Sequence, residues 1–185
     1  DRNGYVDDIS GWDFFRNDND ANDDTRYGHG TGEAKDSSAE ADNGRAEAGV
    51  CPRCRVMPLR VGDSFVADAN DFALATVYAV DIGASVVQEA LGTLDNTPLS
   101  QWAIDYAYDN HVAVIASAAD ENSYHHNFPG TNNHTIYVHA IRYNAEDLKD
   151  STHAFAFDNC TNYGAQLLLS VPGESCSSEA TGRSS

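Results

Sequence analysis

Basic residues are scarce in this chain. Eleven Lys and Arg stand against 29 Asp and Glu, so the formal charge is −18 and the pI is near 4.4. A general nucleic-acid binder needs a basic footprint, so that class is excluded. Long apolar runs are missing as well, and nothing approaches the ~20 apolar residues of a membrane span. The chain opens on Asp1-Arg2-Asn3-Gly4, without a Met and a basic, then apolar stretch, so no signal peptide is visible. That opening, with the close on Arg183-Ser184-Ser185, leads us to expect a piece of a longer protein. Internal repeats and low-complexity linkers are absent.

What is present is enough for a folded unit. The length of 185 residues fits one ordinary domain, and a chain of this size buries roughly 70% of its unfolded surface. The apolar fraction of 41%, with 10% aromatics, argues against wholesale disorder. Four cysteines occur, Cys51, Cys54, Cys160 and Cys176. Their even number allows two disulfides in any of three pairings. Cys51 and Cys54 form a Cys-x-x-Cys, which is also half of a zinc site or a redox pair. A zinc site wants a second close pair, and Cys160 and Cys176 lie in different segments. Structural pairing or buried free thiols is the favoured reading.

Residues 1–28 are polar and acidic and read as a loop-rich head, followed by an α/β core over 29–185. Arg55–Val61 reads as a first strand. Asn70–Ile82 has helical spacing, with Asp68 or Asn70 as its cap. Ala84–Ala90 is a second strand. Thr97 caps a helix with Pro98 at its first position, and its buried stripe is predicted as Trp102, Ile104, Tyr106 and Tyr108. Val112–Ala118 is a continuous, β-branched strand of the kind buried on both faces. Thr135–Ile141 and Gln166–Val171 follow. Strand and helix alternate, so the fold class is α/β with a mainly parallel sheet and helices on both faces. Ligands of such sheets bind outside the carboxyl ends of the strands. The residues after Val61, Ala90 and Ala118 are therefore the first places to look for function.

Three segments carry chemistry. Gly28-His29-Gly30-Thr31-Gly32 enters a helical stretch over Glu33–Glu47, and a histidine between glycines is sterically open. Ala116-Ser117-Ala118-Ala119-Asp120-Glu121-Asn122 follows the most buried strand. Val171-Pro172-Gly173 precedes Ser177-Ser178-Glu179-Ala180-Thr181-Gly182.

In this order the segments resemble the subtilases, the subtilisin-like serine proteases. His29-Gly30-Thr31 is similar to their His-Gly-Thr, which begins a helix. Ala118-Ala119-Asp120-Glu121 lies where the family has Ala-Ala-Gly-Asn-Glu, with its oxyanion-hole Asn. Cys176-Ser177-Ser178-Glu179-Ala180-Thr181-Gly182-Arg183 resembles Gly-Thr-Ser-x-Ala-Thr-Pro-His and lines Ser178 up with the nucleophile; Ser177 is a one-residue alternative. Gly49–Val61, the strand Val86–Gly92 and Asn3-Gly4-Tyr5-Val6-Asp7-Asp8 with Gly11-Trp12-Asp13-Phe14 extend the likeness over nearly the whole chain.

The resemblance implies a serine endopeptidase. Its catalytic residues would be His29 and Ser178, with Asp120 at the oxyanion position. Ala90, Leu91, Gly92, Ser117, Ala118 and Ala119 would wall the substrate site and leave room for a side chain. A serine hydroxyl needs a base beside it, imidazole suits that role near neutral pH, and a third group holds the imidazole's tautomer. The family's Asp-Ser/Thr-Gly strand is missing here, so the triad aspartate is expected upstream of Asp1; Asp7, Asp8 and Asp13 are poor substitutes. Asp120 replaces the usual Asn, although one branch, a prohormone convertase, carries Asp there and is active. Cys176 replaces Gly, Gly182-Arg183 replaces Pro-His, and Gly32-Glu33 replaces His-Val. These changes define the alternative, a degenerate member with a binding or calcium-dependent structural role.

Chemistry at this site requires no cofactor. Asp18, Asp20 and Asn22 alternate oxygen ligands as hard cations prefer, and with Asp23, Asp24 and the Asp1–Asp7 segment they make structural calcium the candidate metal. His125, His126 and His134 read as loop histidines. The partners implied are protein or peptide substrates, for a monomer that is secreted or held in the cell envelope.

Overall fold

The protein's fold is given by a computed structural model that describes residues 3–25, 28–45, 47–64, 66–93, 95–119, 124, 126–141, 162 and 169–172. Its elements, in chain order, are β1 (Trp12–Asp13), α1 (His29–Ser38), β2 (Leu59–Arg60), β3 (Val66–Ala67), α2 (Ala69–Asp81), β4 (Val86–Glu89), β5 (Gly92–Thr93), α3 (Pro98–Asp109), β6 (Ala113–Ser117), β7 (Thr135–Ile141) and β8 (Leu169–Pro172). The sheets are parallel: β1 pairs with β2, β3 with β5, and β4-β6-β7-β8 form a four-stranded sheet in that order. The expected α/β architecture is observed.

The acidic head is more structured than its composition predicts. β1 lies inside it, and Trp12 and Phe14 are buried in a cluster with Val61, Ala67, Ala75 and Tyr78. Gly11 makes this possible: its φ is +106°, and a Cβ there would lie 1.9 Å from the Pro58 carbonyl oxygen. A two-residue strand has no periodicity to read, which is why sequence patterning passes over it. Asp13 is fully buried and accepts from Arg60 Nη1 at 2.9 Å and from the Arg16 N–H at 2.9 Å. Arg60 also meets Asp24 and Asp63, so three carboxylates surround one guanidinium between β1 and β2.

The helix caps follow the sequence. Asp68 accepts from the Asn70 and Asp71 N–H groups at 2.7 and 3.4 Å, and Thr97 accepts from the Ser100 N–H at 3.2 Å. Asp68→Ala is expected to destabilise the full-length protein by about 1 kcal/mol, the usual worth of an N-cap, as measured by urea unfolding. The buried stripe of α3 is not the aromatic one. Ser100, Ala103, Ile104 and Ala107 are buried, while Trp102 and Tyr108 are exposed. The small residues let α2 and α3 approach each other, and the aromatics cap the outside: Trp102 stacks on Tyr106 and Tyr108 on His134.

α1 is shorter than the helical stretch expected over Glu33–Glu47 and ends at Ser38. The returning chain stops it, because the N–H groups of Gly49, Val50 and Cys51 take the carbonyls of Ala39, Asp36 and Ser37. Gly49 is packed so closely there that a Cβ would lie 2.4 Å from the Ala39 nitrogen. Cys51 and Cys54 follow, joined as a disulfide; Cys160 and Cys176 lie outside the described residues. The strand expected over Arg55–Val61 is regular only at Leu59–Arg60.

α2 packs against both the two-stranded β1–β2 sheet and the four-stranded sheet. Its Ala75 and Tyr78 join the cluster of β1 and β2, and its Phe72 and Val80 pack with Ile104, Ala107, Val112 and Val114 beside β4 and β6. Leu91 packs against both clusters. On β4, Val87 faces α2 and α3, whereas the alternating Gln88 donates to Glu33 of α1 at 3.3 Å. Helices therefore cover both faces of the sheet.

Candidate active site

The first turn of α1 is built to present His29. Gly28 precedes it in the left-handed region, with φ 65°, and offers no side-chain cap. Asp23 supplies the missing acceptor from upstream: one carboxylate oxygen takes the Thr31 N–H at 2.9 Å and the other the Thr25 hydroxyl at 2.9 Å. Sequence reading missed this role, since an acceptor five residues before the helix resembles no local capping pattern.

His29 Nε2 then reaches the Ala90 carbonyl oxygen, 2.6 Å away and 61 residues on in sequence. A carbonyl only accepts, so Nε2 carries the hydrogen in this arrangement. Ala90 stands at the carboxyl end of β4, and β6 ends beside it, with Glu89 opposite Ala116 in register. The helix start, the β4 end and the β6 end therefore converge at one edge of the sheet, as the parallel topology predicts.

The expected substrate walls lie there. Ala90, Leu91 and Gly92 are half-buried, as are Ser117 and Ala119 about the buried Ala118. Ala119 has φ 63°, a left-handed conformation that is costly for a residue with a Cβ. Its carbonyl is held by the Asn162 N–H at 2.8 Å. The chain therefore turns sharply just before Asp120. Asp120 and Ser178 lie outside the described residues.

The other acidic candidates are committed elsewhere. Asp13 belongs to Arg60, and Asp8 accepts from the Tyr78 hydroxyl at 2.7 Å and from Asn3. Those two hydrogen bonds hold the Asp8 carboxyl below its usual range. Asp18 uses a carboxylate oxygen on the Asp20 N–H at 3.0 Å, and Asp20 uses one on the Asn22 N–H at 3.2 Å. These are turn-forming contacts along one segment. Among the described residues, no group of three or more His, Cys, Asp or Glu is placed to hold a metal ion. His134 stacks on Tyr108 with Nδ1 3.1 Å from Asp105, and His126 meets Tyr124 edge-on; His125 lies outside the described residues.

Glu89 is the second residue that sequence reading missed as special. It closes β4 directly before Ala90, the first of the expected wall residues, and one carboxyl oxygen accepts the Leu91 N–H at 3.3 Å. The other oxygen is buried and has no hydrogen-bond partner among the described residues. Burial pushes its carboxyl well above the usual range, opposed by the Leu91 hydrogen bond. The unfolded chain releases this proton near pH 4.3. Above that pH the folded state holds a proton that the unfolded state has lost, so stability falls as pH rises toward the folded pKa. Glu89→Met is expected to raise stability by about 1–3 kcal/mol through removal of a poorly satisfied buried polar group, and the gain should grow from pH 4 to pH 8 because only the wild type must hold a proton that its unfolded chain has lost. Thermal unfolding of the full-length protein across this range reads the gain.

Comparison with known proteins agrees with this geometry. The model of the subtilase family, peptidase S8, matches residues 1–185. Thermitase of Thermoactinomyces vulgaris is 31% identical over 171 residues, covering 89% of this chain and 55% of thermitase. A thermophilic serine proteinase of Bacillus sp. strain AK1 is 31% identical over 175 residues, covering 94% of this chain and 41% of that protein. The cell wall-associated protease of Bacillus subtilis strain 168 is 31% identical over 165 residues, covering 88% and 17%. Among solved structures, sphericase superposes with a TM-score of 0.70 at 23% identity, covering 88% of this chain and 58% of that one. The chain thus spans about half the length of the first two of these relatives. With a family model that matches it from end to end, and a histidine at the carboxyl edge of a parallel sheet, this chain belongs to the subtilase family.

Proposed function

We propose that the full-length protein is a serine endopeptidase in which Ser178 attacks the peptide carbonyl and His29 takes and returns the proton. The observation that carries this reading is the 2.6 Å contact between His29 and Ala90. It brings the base to the strand ends where a substrate carbonyl would be attacked, beside the segment that leads into Asp120. Catalysis needs the other tautomer, with Nε2 free to accept from serine and Nδ1–H donating to a carboxylate. That carboxylate is the triad aspartate, which we place outside residues 1–185. Among the described residues β2 and β4 each pair on one side only, and α2 and Leu91 pack against both. A further strand entering between them would extend the sheet and carry the aspartate toward His29.

A fluorophosphonate probe on the full-length protein tests this directly. Labelling is expected on the wild type and lost in Ser178→Ala. Labelling that survives this substitution overturns the assignment and transfers the role to Ser177. The altered motif around Ser178 favours the second reading, a degenerate binding protein, if wild type neither labels nor cleaves peptides. We place the protein outside the cell or in its envelope, following its cell wall-associated relative and the Cys51–Cys54 disulfide. Among the described residues no helix is long and apolar enough to cross a membrane.

A further inference from the structure

The proposed peptidase chemistry makes no use of Cys51 and Cys54. Their disulfide links residues three apart in sequence, between the end of α1 and the start of β2, so it ties no two elements together. Closing so short a loop restrains the unfolded chain less than a longer bridge would. The bridge is not what holds the turn either. The Cys54 N–H donates to the Cys51 carbonyl at 2.9 Å and closes the turn through the backbone. The Cys51 N–H donates to the Ser37 carbonyl at 2.8 Å, beside the bonds that Gly49 and Val50 make to Ala39 and Asp36. Gly49 is buried in that contact, so the Cys51 side of the turn is anchored to the end of α1. Two sulfurs on such a frame can part and meet again without the chain being rebuilt.

The two sulfurs differ in access. Cys51 is half-buried, whereas Cys54 is exposed. Both sequence neighbours of Cys54 are arginines, Arg53 and Arg55, and both are exposed. In a chain of net charge −18, two guanidinium groups beside one sulfur reverse the sign locally. Cations there draw in a thiolate and favour the thiolate form of the cysteine itself. Exposed Val50 and Val56 add apolar surface on either side of the turn. An accessible sulfur, flanking cations and a turn that persists without the bridge suit exchange better than stapling.

We propose that Cys51–Cys54 is a thiol–disulfide exchange site that takes two electrons from a dithiol, with Cys54 as the sulfur attacked. A thiolate of the dithiol attacks Cys54 Sγ and forms an intermolecular S–S bond. The Cys51–Cys54 bond breaks, and its electron pair leaves on Cys51. The second thiolate of the dithiol then attacks its own partner sulfur in the mixed bond, and Cys54 leaves as a thiolate. The dithiol is oxidised to a disulfide, and its two protons end on Cys51 and Cys54. The reverse sequence recloses the bridge and reduces a disulfide in turn. None of these steps uses His29 or Ser178, so the site stands or falls independently of the peptidase assignment.

The test uses the full-length protein, with dithiothreitol as the dithiol. Differential alkylation and mass spectrometry read the peptide that holds Cys51 and Cys54, so Cys160 and Cys176 do not contribute. The bridge in native protein is expected to open at a rate within about tenfold of that in urea-unfolded protein, because access limits neither. A native rate slower than this marks a shielded staple and overturns the proposal. Arg53→Gln/Arg55→Gln should slow the native rate at least about threefold, since the cations that draw the thiolate are gone; an unmoved rate overturns the proposal as well. Single variants assign the sulfurs. With oxidised glutathione, Cys51→Ser should gain a glutathione adduct on Cys54 at least about tenfold faster than Cys54→Ser gains one on Cys51. Reduced wild type should keep no adduct, because Cys51 displaces glutathione and recloses the bridge. Equal rates in the two variants, or a lasting adduct in wild type, contradict the assignment. Where a variant does not fold, the wild-type measurements decide.

Discussion

His29→Ala and Ser178→Ala in the full-length protein are each expected to lower kcat for peptide hydrolysis by about 10⁴–10⁶-fold, and the double variant should lose little more than the worse single one. At about 1.36 kcal/mol per decade, this is a loss of roughly 5.5–8 kcal/mol of transition-state stabilisation. The reason for the non-additivity is that nucleophile and base act as a unit. Without imidazole the serine keeps its proton and is a poor nucleophile; without serine the imidazole has nothing to activate. Binding and the oxyanion donors remain in each variant, so a residual rate above water persists. His29 is only half-buried at the start of a helix, and its Nε2 contacts a backbone carbonyl rather than a core side chain. Its removal should therefore leave the melting temperature near that of wild type while abolishing turnover. Steady-state hydrolysis and thermal unfolding on the same samples check both halves of this claim. A His29→Ala variant that keeps more than a hundredth of wild-type kcat would remove imidazole from the mechanism.

The legibility of this molecule in its sequence varied with the length scale of the interaction. α2 and α3 and their caps were readable because Asp68, Thr97 and Pro98 act within three residues of what they cap. β6 and β7 were readable because their apolar runs are long. The head is loop-rich as read, but β1 within it was missed because Trp12 and Phe14 alternate around Asp13, and that aspartate has its partner, Arg60, on another strand. Of the expected α3 stripe Ile104 is buried, but its aromatics were misread because aromatic size was taken for burial. Close helix packing instead selects Ala103 and Ala107, and the rings cover the edge. At the site, His29 stood out by its glycines and the walls by their place after strands. Asp23 and Glu89 could not be found that way. Asp23 acts across a loop, and Glu89 looks like an ordinary surface glutamate in a strand. Their partners, the Thr31 and Leu91 N–H groups, are visible only in the fold.

Asp120→Asn is expected to increase kcat/KM at pH 7–8 by about 10²–10³-fold, the worth of one oxyanion donor. The resemblance places Asp120 where the negative oxygen develops. An ionised carboxylate only accepts hydrogen bonds there, whereas its protonated form can donate one. The working enzyme then needs Asp120 protonated and His29 neutral together. Raising the pH frees the imidazole of its proton but also strips the proton from Asp120, so the wild type loses its oxyanion donor as it gains its base. The asparagine variant keeps its donor at every pH and needs only the imidazole neutral, so its rate does not fall as the pH rises. The two profiles should therefore diverge as pH increases, until the wild type reaches the rate that binding and the remaining groups sustain without the donor. Measuring kcat/KM from pH 4.5 to 9 for both proteins distinguishes this from a general gain in stability, which would shift both profiles together. An asparagine variant no faster than wild type at pH 7–8 would show that Asp120 does not face the oxyanion.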